Sequence, residues 1–125
     1  MVKRKKKADT SELLSEIIIK GMQNKKGHNI VSLNLKNIDY AVSDYFIICH
    51  GTSSTQVLAI AESIEDEVRK AVNLKPWHIE GIQNAEWILL DYVDVVVHIF
   101  QETNRNFYQI ESLWADADVK VIEED

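Results

Sequence analysis

The sequence predicts one compact α/β domain, a mixed sheet of about five strands flanked by helices. Three observations carry that prediction. Val57, Ile60, Ala61, Ile64, Val68 and Val72 recur at helical spacing between two strand-like runs. Residues 45–49, Tyr-Phe-Ile-Ile-Cys, are continuously apolar, as in a central strand covered on both faces. Residues 87–100 place two runs rich in Val, Ile, Leu and aromatics around Tyr92, Val93 and Asp94, the pattern of a β-hairpin.

Taken in order, residues 1–8 form a basic arm expected to be disordered. Asp9 followed by Glu12 resembles a capping box, and Leu14, Ile17, Ile18 and Met22 then predict a helix over about 10–24, ending near Gly27. Residues 30–35 read as the first strand, with Val31, Leu33 and Leu35 on one face and Ser32 and Asn34 on the other. Residues 36–43 are a polar connection to the apolar strand at 45–49. The helix after it should end near residue 72, because Pro76 cannot continue it. Residues 77–80 suit a short strand reached by a right-handed crossover, and the remaining strands should pair antiparallel. Phe107, Ile110 and Trp114 predict a last helix over 103–114 with those three facing inward, completing a domain over 9–114. Residues 115–125 read as a frayed acidic tail.

At 125 residues the chain can bury a core without staples. Cys49 is the only cysteine, so no disulfide framework is expected, and a reducing compartment such as the cytoplasm fits. No apolar run approaches the ~20 residues of a membrane span, and no membrane partner is expected. The net charge of −6 hides an asymmetry. Lys3, Arg4, Lys5, Lys6 and Lys7 supply five of the 14 basic residues, leaving nine against 20 acidic ones, a net −11. Such a body repels nucleic acid and attracts basic proteins. The basic arm is either a solvated tail or an incidental contact to ribose-phosphate backbone.

Four groups invite a chemical reading. Gly51, Thr52, Ser53 and Ser54, between strand and helix, stand where an α/β protein holds a phosphate, but with one glycine and no lysine they also suit a plain helix cap. Cys49 and His50 are adjacent on a strand and therefore point to opposite faces, against a nucleophile–base pair. Asp91, Asp94 and His98 are the most enzyme-like set. A cation could sit between the carboxylates, or both could bond the turn amides. No third acid is evident, and His28, His50, His78 and His98 lack zinc-site spacing, so no metal or other cofactor is expected. Trp87 shares a face with Leu89 and Asp91, while Ile88, Leu90 and Tyr92 make the better core face. An exposed indole there would be an interface anchor; a buried one, ordinary core.

The stretches Ser43-Asp-Tyr-Phe-Ile-Ile-Cys, Gly51-Thr-Ser-Ser-Thr-Gln-Val, Ile79-Glu-Gly, residues 87–100, and Phe107-Tyr108 to Leu113-Trp114 occur in the order found in the ribosomal silencing factor (RsfS, Iojap) family, which the chain resembles over about 10–114. The resemblance implies a nucleotidyltransferase-like fold without demonstrated transferase chemistry, and no enzyme is expected. It implies binding to the large ribosomal subunit through its ribosomal protein number fourteen. It further implies steric exclusion of the small subunit, hence repression of translation under nutrient stress. Trp87 matches the family's partner-binding tryptophan, and the implied partner-binding set is Trp87, Leu89, Asp91, Tyr92, Asp94 and His98. A divergent metal-dependent nucleotidyltransferase is the alternative, and a homodimer of the free chain is compatible with the sequence. Two positions depart from the family. Val93 replaces a frequent turn glycine, where a left-handed conformation would be strained, and His50 replaces a small residue before Gly51.

Overall fold

The computed structural model describes the backbone of residues 2–108 and 116–123, with side chains over 10–105 and 116–123. The order is α1 (Val2–Asn24), β1 (His28–Asn34), β2 (Tyr45–Gly51), α2 (Ser54–Val72), β3 (His78–Glu80), β4 (Trp87–Asp91), β5 (Val95–Gln101), α3 (Glu102–Tyr108) and β6 (Asp118–Val121). Among the described residues the strands form one six-stranded mixed sheet in the order β3-β4-β5-β2-β1-β6, in which β2 and β5 pair parallel and the other neighbours antiparallel.

Both long helices pack on one face. Leu14, Ile18 and Met22 of α1 and Val57, Ile60, Ala61, Ile64 and Val68 of α2 close over Ile47, Cys49, Ile88, Leu90, Val95, Val97 and Ile99. Each fully buried aliphatic side chain contributes roughly 1.5–3 kcal/mol, so this layer is the main source of stability. The helices meet closely at Gly21, where a Cβ would stand 2.8 Å from Ile64 Cα. Ser53 starts α2 by accepting from the Gln56 amide at 3.1 Å, and Asn73, left-handed at φ 56°, ends it. On the second face Leu33, Leu35, Ile48 and Phe100 form a smaller buried cluster, against which Phe46, Trp87 and Ala117 pack.

The structure departs from the expectations at four places. The helix includes residues 2–8, placed in a disordered arm, because Lys, Arg and Ala are good helix formers and α1 propagates through them. A sixth strand stands in the tail expected to fray. Residues 118–121 bond the outer edge of β1, and the Ile122 amide donates to the Ile30 carbonyl at 2.9 Å. The short third strand is not beside β2; it caps the sheet's edge on β4, and the parallel neighbour of β2 is β5. The reason lies in β5, Val-Val-Val-His-Ile-Phe, which is buried on both faces and so takes the central place. Last, β1 starts at His28 with a register shift before Val31. The inward placement expected of Phe107, Ile110 and Trp114 lies outside the described side chains. Among the described residues no helix is long and apolar enough to cross a membrane.

Candidate functional site

The β4–β5 register sets the site. Trp87 lies opposite Phe100, Leu89 opposite His98, and Asp91 opposite Val96, all on the face away from α1 and α2. Two devices fix the strand that carries Trp87. Gly81 holds φ +88°, and a Cβ there would fall 2.0 Å from the Trp87 carbonyl oxygen, so the preceding loop can pass only as glycine. Gln101 reaches back from β5, donating its backbone amide to Glu86 O at 2.9 Å and its side-chain amide to Ala85 O at 3.0 Å.

The Trp87 indole is half-buried. One side stacks on Phe100, with centroids 4.9 Å apart and planes 27° from parallel. Its N–H donates to His98 Nδ1 at 3.1 Å. That bond makes Nδ1 the acceptor, so the neutral imidazole carries its proton on Nε2. His98 is only 3% exposed, and burial pushes its pKa down to about 4, so the ring is neutral near pH 7. Its Nε2 has no hydrogen-bond partner among the described residues, and the Phe46 ring lies 4.8 Å away, centroid to centroid.

At the hairpin tip, Asp91 Oδ1 accepts from the Val93 amide at 2.7 Å. The Asp94 amide donates to Tyr92 O at 3.0 Å, closing a γ-turn around Val93, whose φ is +76°. Asp44 and Tyr45 amides both donate to Asp94 O, and Ser43 Oγ donates to Val93 O at 2.9 Å, lacing the tip to the start of β2. Asp91 is therefore a turn-holding carboxylate. Asp91 pairs with Val96, one step along the face from His98. Among the described residues no group of three His, Cys, Asp or Glu side chains could hold a metal ion.

The other candidate residues fall elsewhere. Tyr92 lies on the helix-covered face, in the main core, where burial and then Glu65 raise its pKa; its hydroxyl has no partner among the described residues. The loop at Gly51 serves as a cap through Ser53, and the Gln56 side chain fills it. Gln56 Oε1 accepts from the Thr52 amide at 2.8 Å and from its hydroxyl, while Nε2 donates to the carbonyls of Lys25 and Lys26. Cys49 points into the main core, its thiol pKa pushed up to about 12 by burial, and His50 faces the other way.

Two residues escaped the sequence reading. Arg105 is buried, donating Nη1 to Asn29 O at 2.8 Å and standing 3.1 Å from His50 Nδ1, so it pins α3 onto the irregular start of β1. Trp77, 77% exposed, immediately precedes β3. A tryptophan directly after Pro76 in a polar stretch was the available signal.

The site offers a fixed indole, the half-buried Leu89 beside it and carboxylates at the hairpin tip, an arrangement suited to contact with another macromolecule.

Comparison with known proteins points the same way. A model of the family described as "Ribosomal silencing factor during starvation" matches residues 7–125. The ribosomal silencing factor RsfS of Halalkalibacterium halodurans is 37% identical over 108 residues, covering 86% of this chain and 91% of that protein. The RsfS of Bacillus subtilis is 43% identical over 94 residues, 74% of this chain and 77% of the relative. A crystal structure from Chromobacterium violaceum superposes with a TM-score of 0.79 at 31% identity, covering 83% of this chain and 85% of that one.

Proposed function

We propose a function from one premise: the chain belongs to the ribosomal silencing factor (RsfS) family. On this reading it binds ribosomal protein number fourteen of the large subunit and, by occupying that surface, keeps the small subunit from joining. Translation then falls when nutrients are scarce. The supporting observation is the indole of Trp87, held by Phe100 and His98 before any partner arrives and still half-exposed. An anchor fixed in this way gives up little side-chain entropy on binding.

Trp87, Leu89, Asp91 and Asp94 are the contacting residues. His98 acts from beneath the surface, setting the indole's orientation, and Tyr92 supports the turn from the core side. The acidic body suits a basic ribosomal protein and resists RNA in general; the basic arm makes at most an incidental RNA contact. The effect needs occupancy and no bond-making step, in the cytoplasm where subunits join.

The test is co-sedimentation with isolated large subunits, followed by addition of small subunits. The wild-type chain pellets with large subunits and lowers the yield of joined ribosomes. Trp87→Ala remains folded by circular dichroism and loses binding by about 2–4 kcal/mol, the range of an aromatic anchor. Unchanged binding in that variant overturns the reading.

A further inference from the structure

A second apolar feature lies outside the Trp87 face, along one rim of the sheet. Trp77, Val93, Val42 and Tyr40 are 77%, 56%, 95% and 69% exposed. Three hydrogen bonds bring their loops together: the Trp77 amide donates to Asp91 O at 2.7 Å, Ser43 Oγ to Val93 O at 2.9 Å, and the Asp44 amide to Asp94 O at 2.8 Å. The residues preceding β3, joining β4 to β5, and preceding β2 therefore form one continuous ledge. Single exposed apolar residues are ordinary; four gathered on one rim are a patch that favours being covered.

The backbone adds weight to this. Val93 is β-branched at φ +76°, a conformation that costs a branched L-residue of the order of a kcal/mol or more. Glycine would hold the same turn without that cost, yet an exposed apolar side chain stands there. Charge selects the occupant. Asp44, Asp91 and Asp94 are part-exposed on this rim and Asp39 is exposed. Among the described residues, Lys75 stands two positions before Trp77, and Lys36 lies over the Tyr45 ring at 4.9 Å. A complementary surface carries Lys or Arg around an apolar centre.

We infer that this rim docks a Lys/Arg-bearing protein segment of the large subunit, covering Trp77, Val93, Val42 and Tyr40 while its cations meet the rim aspartates. The inference rests on the large-subunit reading above and widens its footprint. Trp87 and Leu89 are half-buried and expose only part of the ~800 Å² per partner that a stable interface needs, and the rim adjoins them through Asp91.

The test uses the full chain in three forms: wild type, Trp87→Ala, and the double variant Trp77→Ser with Val42→Ser. The double variant is expected to keep the wild-type melting temperature within a few degrees and to bind isolated large subunits roughly tenfold more weakly. Val42→Ser alone keeps the test if the double variant melts early, since its side chain is nearly fully exposed. Wild-type affinity in the rim variants, with binding lost in Trp87→Ala, overturns the rim and leaves the Trp87 reading standing. Failure of the wild type to pellet overturns both. An equal loss on protein-free large-subunit RNA assigns the rim to RNA and overturns the protein segment. A wild-type dimer that becomes monomeric in the double variant, by sedimentation velocity, assigns it to a second copy and overturns it too.

Discussion

The indole N–H of Trp87 and the Nδ1 of His98 share a 3.1 Å hydrogen bond across two neighbouring antiparallel strands. It couples three things usually set separately: the tautomer of a buried imidazole, the tilt of a half-exposed indole, and the protonation of the site. A proton added to Nδ1 would remove the acceptor and release the indole.

Replacing Trp87 by Phe keeps an aromatic ring over Phe100 but removes the donor. The buried Nδ1 then lacks its partner, and unfolding free energy should fall by about 1–2 kcal/mol in urea titration. A change under a few tenths of a kcal/mol would mean that water replaces the indole.

His98 also predicts a pH dependence. Its folded pKa of about 4 lies below the ordinary 6.5, so between those values the unfolded chain binds the extra proton. Stability should therefore be lost as pH falls from about 6.5 towards 4, by roughly 3 kcal/mol from this group. His98→Asn offers an acceptor that does not titrate, and its melting temperature should fall less over the same window.

Val93→Gly should stabilise the chain. Relief of the positive-φ strain, about 1–3 kcal/mol, exceeds the roughly 0.5–1 kcal/mol that glycine's added freedom costs. The denaturation midpoint should rise, while large-subunit affinity falls if the rim is in contact.

Gly81→Ala should do the reverse. A methyl group 2.0 Å from the Trp87 carbonyl cannot be accommodated without moving β4. Thermal melting should show a loss above about 3 kcal/mol, with large-subunit binding weakened in the protein that still folds.

Arg105→Met tests the buried cation. The variant keeps the aliphatic stem but removes the donor to Asn29 O, at an expected cost of about 3 kcal/mol by urea titration. Exchange of the β1 amides near His28 should accelerate.

Much of this architecture was legible because it is local. The α2 stripe at 57–68 has the helical period, and the hairpin is joined by three residues, so its strands had to pair with each other. Parity put Trp87, Leu89 and Asp91 on one face, and they are on one face. What could not be read depends on distant partners. The β6 strand forms because β1 has an unpaired edge, a fact absent from residues 118–121 themselves. His98 looks exposed on an alternating pattern until Phe46, Leu89 and Phe100 are known to surround it. Tyr92 alternates onto the core face, so its place was readable from parity, whereas the Trp77 exposure required knowing that β3 is an edge.

The parallel pairing of β2 with β5 joins Ile48 to His98, fifty positions apart. During synthesis the first hairpin and both long helices can leave the ribosome and still lack the strand that completes their sheet. The sheet closes only once residues 95–101 have emerged, and the newborn chain must keep an apolar sheet edge from sticking to its neighbours until then.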